Sequence, residues 1–172
     1  MFKGCTALAK APNLPATTLA DYCYEFMFSG CSALTQAPNL PATTLAGSCY
    51  GAMFYGCSSL TQAPNLPATK LAKFCYSTMF KGCTALAKAP NLPATTLANN
   101  CYRNMFENCS ALAEVRIAAT TTASNALYRW LQFVADSGTV YAVPGFNDLP
   151  TNNASGIPSG WTRKPLSDYP QT

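Results

Sequence analysis

Apolar residues return along this chain in a fixed frame. Met-Phe pairs stand at Met1-Phe2, Met27-Phe28, Met53-Phe54, Met79-Phe80 and Met105-Phe106, each 26 residues after the last. Behind each of the first four pairs come a Cys, a Leu three residues later, a Pro-Asn-Leu-Pro tetrad and a second Cys, and residues 1–20 and 79–98 are identical. The fifth unit opens at Met105 and leaves the frame after Ile117. A unit this short cannot bury its apolar side chains alone, so neighbouring units must stack and share one core. Function is then expected on the surface of a ladder rather than in one deep pocket.

Within a unit, Leu19, Cys23, Met27 and Cys31 fall at steps of four. That spacing predicts a short helical or turn-rich segment from about Leu19 to Phe28, with Gly30 just past its end. The following residues 32–41, Ser-Ala-Leu-Thr-Gln-Ala-Pro-Asn-Leu-Pro, read as extended, because Pro blocks helix and pushes its predecessor toward extended geometry. Such strands would stack in parallel at roughly 4.8 Å, with Leu34, Ala37 and Leu40 inward. The Pro inside each strand (Pro12, Pro38, Pro64, Pro90) removes a ladder donor, so the sheet is expected to be short or irregular.

Past Ile117 the pattern changes. Ala126, Leu127, Trp130, Leu131 and Val134 predict one face of a helix, with Ser124 as its N-cap and Gly138 as its stop. Residues 139–143 alternate like a strand, and a turn-rich loop ends in Ile157 and Trp161, which would pin it to the last unit. The division expected is a repeat array over 1–117 and a capping region over 118–172. Met1 already belongs to a repeat, which suggests further repeats or another domain ahead of it in a longer parent.

The frame MF-x-G-C-x-x-L, followed by a strand ending in Leu-Pro, resembles the BspA-like type of leucine-rich repeat, a family of bacterial cell-surface proteins. The fifth unit, with Cys109, Leu112, Val115 and Ile117, is most similar. The resemblance covers about residues 1–117, and the helix-strand cap with its Gly-Ile-Pro-x-x-Trp tail is also similar to the ends of such proteins. The chain departs from the family by extra length around Leu19 to Tyr24 and by the Pro within the strand. What the resemblance implies is a leucine-rich-repeat solenoid, a right-handed coil with short parallel strands, working in adhesion on a cell surface.

Nine cysteines form two columns, Cys5, Cys31, Cys57, Cys83, Cys109 and Cys23, Cys49, Cys75, Cys101. Their core-like placement favours buried free thiols; bridges between columns or units are an alternative, and zinc is disfavoured by the absence of His and of close Cys pairs. Asn13, Asn39, Asn65 and Asn91 read as a buried amide ladder that bonds the next unit's backbone. Tyr24, Tyr50, Tyr76 and Tyr102 read as a packed column, or else as an aromatic strip open to a ligand.

Positions that vary between units should face solvent: Asp21-Tyr22 with Gly47-Ser48, Lys73-Phe74 and Asn99-Asn100; Glu25-Phe26 with Gly51-Ala52, Ser77-Thr78 and Arg103-Asn104; and Lys3, Ser29, Tyr55, Lys81 and Glu107. From these, Tyr22, Phe26, Tyr55 and Phe74 are candidate ligand contacts, since rings stack on sugar faces. A second candidate set is the long polar row Lys10, Gln36, Gln62 and Lys88, continued by Glu114, on the strand side.

Charge narrows the function. Only 10% of residues are charged, the net charge is +4, and the basic residues are scattered rather than clustered as a nucleic-acid reader requires. No apolar run approaches the ~20 residues that span a bilayer, and the opening residues of this chain do not read as a signal peptide. Without His, and with isolated acids, no catalytic constellation emerges, so no catalytic residue is assigned. No cofactor is expected beyond a calcium ion at Asn147, Asp148, Asn152 and Asn153, which are equally ordinary turn formers. The expected role is a non-enzymatic, extracellular or cell-surface binding module for a polysaccharide or a partner protein; the alternative is a structural spacer.

Overall fold

The computed structural model describes residues 2–147, 149–151 and 154–170. The protein is mostly non-helical: among the described residues no α-helix forms, and Leu166–Asp168 makes one 3-10 turn. Of the two forms expected over Leu19–Phe28, helical or turn-rich, the turn-rich one forms, and the helix expected after Ser124 is absent. In both stretches runs a chain of tight turns with an unusual backbone rhythm. Tyr22, Phe26 and Gly30 all take positive φ, as do Ser48, Ala52 and Gly56, and the same every-fourth-residue pattern returns through Asn125, Arg129 and Phe133. An L-residue in the left-handed region interrupts a right-handed helix, so four-residue steps here mark turns.

The hydrogen bonds explain why the turns persist. Along the first segment Tyr22, Tyr24, Phe26 and Phe28 donate their N–H groups to the next unit's Gly47, Cys49, Gly51 and Met53 carbonyls, all at 2.9 Å. The alternate N–H groups, from Cys23, Glu25, Met27 and Ser29, reach back three residues at 3.1–3.3 Å. Every second donor is thus satisfied by a neighbour unit, which ties local geometry to stacking. The register repeats: Tyr50 donates to Cys75, Tyr76 to Cys101 and Tyr102 to Ala126.

On the opposite run, units meet through isolated parallel bridges, Lys10 to Gln36, Gln36 to Gln62 and Lys88 to Glu114. A continuous strand, β1 (Glu114–Ile117), forms in the fifth unit. Arg116 there stands 26 residues after Pro90, so the fifth unit regains the N–H that Pro withholds from the earlier ones. β1 pairs in parallel with β2 (Gly138–Ala142), and β2 with β3 (Trp161–Pro165), giving the order β1-β2-β3. β3 was not foreseen. Gly138 permits the join, since a Cβ there would come within 2.6 Å of both the Trp161 ring and the Ala113 carbonyl.

The core is a set of columns. Phe2, Phe28, Phe54, Phe80 and Phe106 stack with centroids 5.6–5.7 Å apart, and Tyr24, Tyr50, Tyr76 and Tyr102 at 5.8–6.0 Å. The tyrosines are a packing column. All nine cysteines are free, and Cys31, Cys57, Cys83 and Cys109 donate S–H to the Phe2, Phe28, Phe54 and Phe80 carbonyls at 3.0–3.1 Å. The Leu34, Leu60, Leu86 and Leu112 column is fully buried, and the same cluster runs on without a break to Val140, Ile157 and Trp161. Trp130 Nε1 donates to the Gly156 carbonyl at 2.9 Å and Trp161 Nε1 to Ala135 at 2.7 Å, which pins the tail as expected of Trp161.

Two expectations fail on burial. Asn13, Asn39, Asn65 and Asn91 are exposed, so they form no buried ladder. Ser29, Ser48, Ala52, Asn104 and Glu107 are buried although their positions vary. A small side chain in a column is overhung by its larger neighbours, and Glu107 is held by Lys81 at 2.8 Å and by Asn104 Nδ2 at 2.6 Å.

Candidate functional site

The candidate residues occupy two surfaces. The turn segments carry the aromatic set, and the bridged segments carry the polar row. Tyr22 is 63% exposed, Tyr55 44% and Phe26 38%, while Phe74 is half-buried. Three of these four rings stand on left-handed backbone: Tyr22 at φ 61°, Phe26 at 56° and Phe74 at 59°. At the equivalent positions other units place Ser48 and Asn100, or Ala52, Thr78 and Asn104. Bulky residues in this region cost on the order of 1 kcal/mol each. Folding alone would choose the smaller residues, so the aromatics stand out against their own repeat.

Cations lie over two of these rings. Lys3 Nζ is 4.8 Å from the Phe26 centroid and Lys73 Nζ 5.3 Å from that of Phe74. Asp21 accepts the Gly47 N–H at 2.7 Å, so it braces the segment bearing Tyr22 against its neighbour. Tyr22 and Phe74 share one column with Ser48 between them, whereas Phe26 and Tyr55 belong to two further columns. The four rings are therefore spread over three columns of the turn side.

Lys10, Gln36, Gln62 and Lys88 of the polar row are exposed, with parallel bridges from Lys10 to Gln36, Gln36 to Gln62 and Lys88 to Glu114. Its far end is occupied by the protein itself. Lys88 pairs with Glu114 at 2.8 Å, the Tyr169 hydroxyl donates to Glu114 Oε1 at 3.1 Å, and Lys88 and Arg116 lie 5.1 and 4.8 Å from the Tyr169 ring. The Glu114 hydrogen bond, then that of Tyr169, raises the Lys88 ammonium above the usual lysine range. Lys10, Gln36 and Gln62 remain open, along a shallow cleft of about 270 Å³ lined by Lys10, Pro12, Asn13, Gln36, Pro38 and Asn39. Tyr169 was not foreseen, because it lies beyond the repeats and only the fold returns it to their strand side.

The buried thiols are not set up for nucleophilic chemistry. Burial pushes Cys49, Cys57, Cys101 and Cys109 up to about 12, and Cys75 and Cys83 well above the usual thiol value. A thiol held protonated is a poor nucleophile and a poor metal ligand. Among the described residues no group of three or more Cys, Asp or Glu is placed to hold a metal ion. Asp148, Asn152 and Asn153 of the candidate calcium loop lie outside the described residues, while Asn147 is exposed. Among the described residues no helix is long and apolar enough to cross a membrane.

Compared with known proteins, the chain matches no family model, and neither a curated protein nor a solved structure matches it.

Proposed function

We propose that the chain is a non-enzymatic binding module of a bacterial cell surface: a BspA-like leucine-rich-repeat solenoid that grips an extended glycan along its turn side. The observation that carries this reading is the exposure of Tyr22, Phe26 and Tyr55, two of them on left-handed backbone, in columns where, Phe74 apart, the other units use small or polar residues. Parallel bridges repeating between units, and the continuous Phe and Tyr columns, support the solenoid. A stiff ladder lets weak contacts add, because binding at one unit raises the effective concentration of ligand at the next. Rings stacked on sugar faces suit a neutral or weakly acidic polysaccharide, with Lys3 and Lys73 beside Phe26 and Phe74 to meet any acidic group. On the strand side, Lys10, Gln36 and Gln62 offer a second contact line, which Lys88 joins only if its pair with Glu114 opens.

A second reading is favoured by the spread of the four rings over three columns: a spacer that holds another part of a longer surface protein away from its anchor, for which length alone matters. Retention of the purified chain on a panel of insoluble and soluble polysaccharides decides between them. Binding to one glycan class, lost in the Tyr22→Ser, Phe26→Ala, Tyr55→Ala and Phe74→Ser variants, supports the module. The changes at Tyr22, Phe26 and Phe74 install residues that Ser48 and Ala52 supply at the same positions in another unit, and Tyr55 is exposed, so the fold should survive all four. Absence of retention on every glycan, with the parent chain folded, rules out the glycan module and leaves a partner protein or the spacer.

A further inference from the structure

The polar row of the strand side carries two lysines, Lys10 and Lys88, and the chain places them in matching settings. Each belongs to a copy of the identical residues 1–20 and 79–98, and each is followed by Ala-Pro-Asn-Leu-Pro. Each is also bridged in parallel to a residue with a side-chain acceptor one unit on, Gln36 for Lys10 and Glu114 for Lys88. The other unit of the row, at Gln62, offers no cation.

The setting at Lys88 shows its occupant, Tyr169 of the chain's own tail. The Tyr169 hydroxyl donates to Glu114 Oε1 at 3.1 Å, and the Lys88 ammonium and Arg116 guanidinium lie 5.1 and 4.8 Å from the ring centroid. Tyr141 meets the same ring edge-on at 5.0 Å. A cation is drawn to the face of an aromatic ring, and a phenol adds the donor that the neighbouring acceptor needs. Tyr169 reaches this place on extended backbone, at φ −67° and ψ 127°, with Pro170 behind it.

The setting at Lys10 is open. Lys10, Pro12 and Gln36 are exposed along the cleft of about 270 Å³, whereas Ala89 and Pro90, the equivalents of Ala11 and Pro12, are buried. Among the described residues the ion pairs are those of Lys81 and Lys88, which leaves the Lys10 ammonium without one. The two settings differ at two lining positions. Gln36 stands for Glu114 and keeps a side-chain oxygen that can accept, and Pro38 stands for Arg116 and exchanges a cation for an apolar ring.

We propose that the cleft between Lys10 and Gln36 binds a tyrosine side chain from an extended segment of a partner protein, as Lys88 and Glu114 hold Tyr169. The phenol donates to Gln36 Oε1, Lys10 lies over the ring, and Pro12 and Pro38 flank it. An aliphatic side chain would offer Lys10 no ring face and Gln36 no donor. A carboxylate would meet Lys10 and leave the proline flank unused. This surface is separate from the turn segments that carry Tyr22, so it stands or falls independently of glycan binding there.

Titration of the intact chain with a peptide of its own residues 164–170, Lys-Pro-Leu-Ser-Asp-Tyr-Pro, followed through backbone amide shifts, tests this. The amides of Lys10, Ala11, Asn13, Gln36 and Ala37 should move, and Lys10→Met should weaken that response at least threefold. The Tyr169→Phe version of the peptide should bind the parent more weakly, and Gln36→Leu should abolish that preference, since the acceptor of the hydroxyl is gone. Both positions in the chain are exposed, so the fold should survive these changes. The proposal is overturned if the peptide moves only residues around Lys88 and Glu114, where it would displace the tail, or moves nothing. It is also overturned if the Tyr169→Leu version or N-acetylglutamate amide moves the Lys10 cleft equally, or if Lys10→Met binds as well as the parent.

Discussion

The same twenty residues, MFKGCTALAKAPNLPATTLA, stand at 1–20 and at 79–98 and meet two different fates. In the inner copy Cys83, Leu86 and Leu92 are fully buried and Leu97 nearly so. In the outer copy Cys5 is exposed, and Leu8 and Leu19 are half-buried. Phe2 stacks on Phe28 alone, whereas Phe80 lies between Phe54 and Phe106. Since the sequences are identical, local propensity and composition cannot account for the difference. Burial in this protein belongs to the contact between units, as the energetics of stacked repeats require.

The largest effect that follows is on stability. Leu86→Ala should destabilise the chain by about 3 kcal/mol in urea or thermal unfolding, as removal of a fully buried leucine does, while Leu8→Ala at the matching position should cost about 1 kcal/mol or less. Equal losses at the two sites would mean that the outer unit is covered in solution. Thiol reactivity sharpens the comparison next. With an aromatic disulfide reagent the native chain should lose Cys5 and Cys23 quickly and the seven buried thiols only as fast as the fold opens, all nine reacting together in denaturant. Rapid loss of Cys83 would contradict its burial.

Alkali should test the burial of the thiol columns more gently. The thiols of Cys49, Cys57, Cys101 and Cys109 are raised by burial to about 12 from an ordinary value of 9.0. Between these values the folded chain holds protons that the unfolded chain has released, so stability is fully present below pH 9 and falls as pH rises toward 12. Melting temperature measured across that window should decline, and Cys83→Ala should flatten the decline. A decline unaffected by Cys83→Ala would place its cause outside that column.

Part of this architecture was legible in the residues. The period, the inward Leu and Cys columns and the polar row Lys10, Gln36, Gln62 and Lys88 all follow from spacing. The backbone between them did not. Leu19, Cys23, Met27 and Cys31 repeat every four residues because each four-residue step contains one left-handed residue, and a helix leaves nearly the same mark on the apolar pattern. Gly30 was the visible sign, yet Tyr22 and Phe26 occupy the other two left-handed positions and disguise them. The same ambiguity made 124–137 read as a helix: Ala126, Leu127, Trp130 and Leu131 are buried as expected, but Asn125, Arg129 and Phe133 have positive φ. Of the candidate sites, exposure at Tyr22 and Tyr55 could be inferred from variation between units, whereas burial of Ser29 and Glu107 depended on which side chains stand above and below. Tyr169 gave no signal, since only the folded chain returns it to Lys88 and Glu114.

The smallest effect concerns a single oxygen. Tyr50 is buried between Tyr24 and Tyr76, with ring centroids 5.8 Å away on each side, and its hydroxyl has no hydrogen-bond partner. Burial raises its phenol above the usual range for tyrosine. The ring supplies the packing and the hydroxyl only a desolvated, unanswered dipole, so Tyr50→Phe should change stability by less than about 1 kcal/mol and in the stabilising direction. Tyr50→Ala should instead cost several times as much, because it opens both stacked faces, and Tyr24→Ala at the outer end should cost less than that. If Tyr50→Phe is clearly destabilising, the hydroxyl has a partner in solution, and the tyrosine column binds the units through polar contacts as well as through stacked rings.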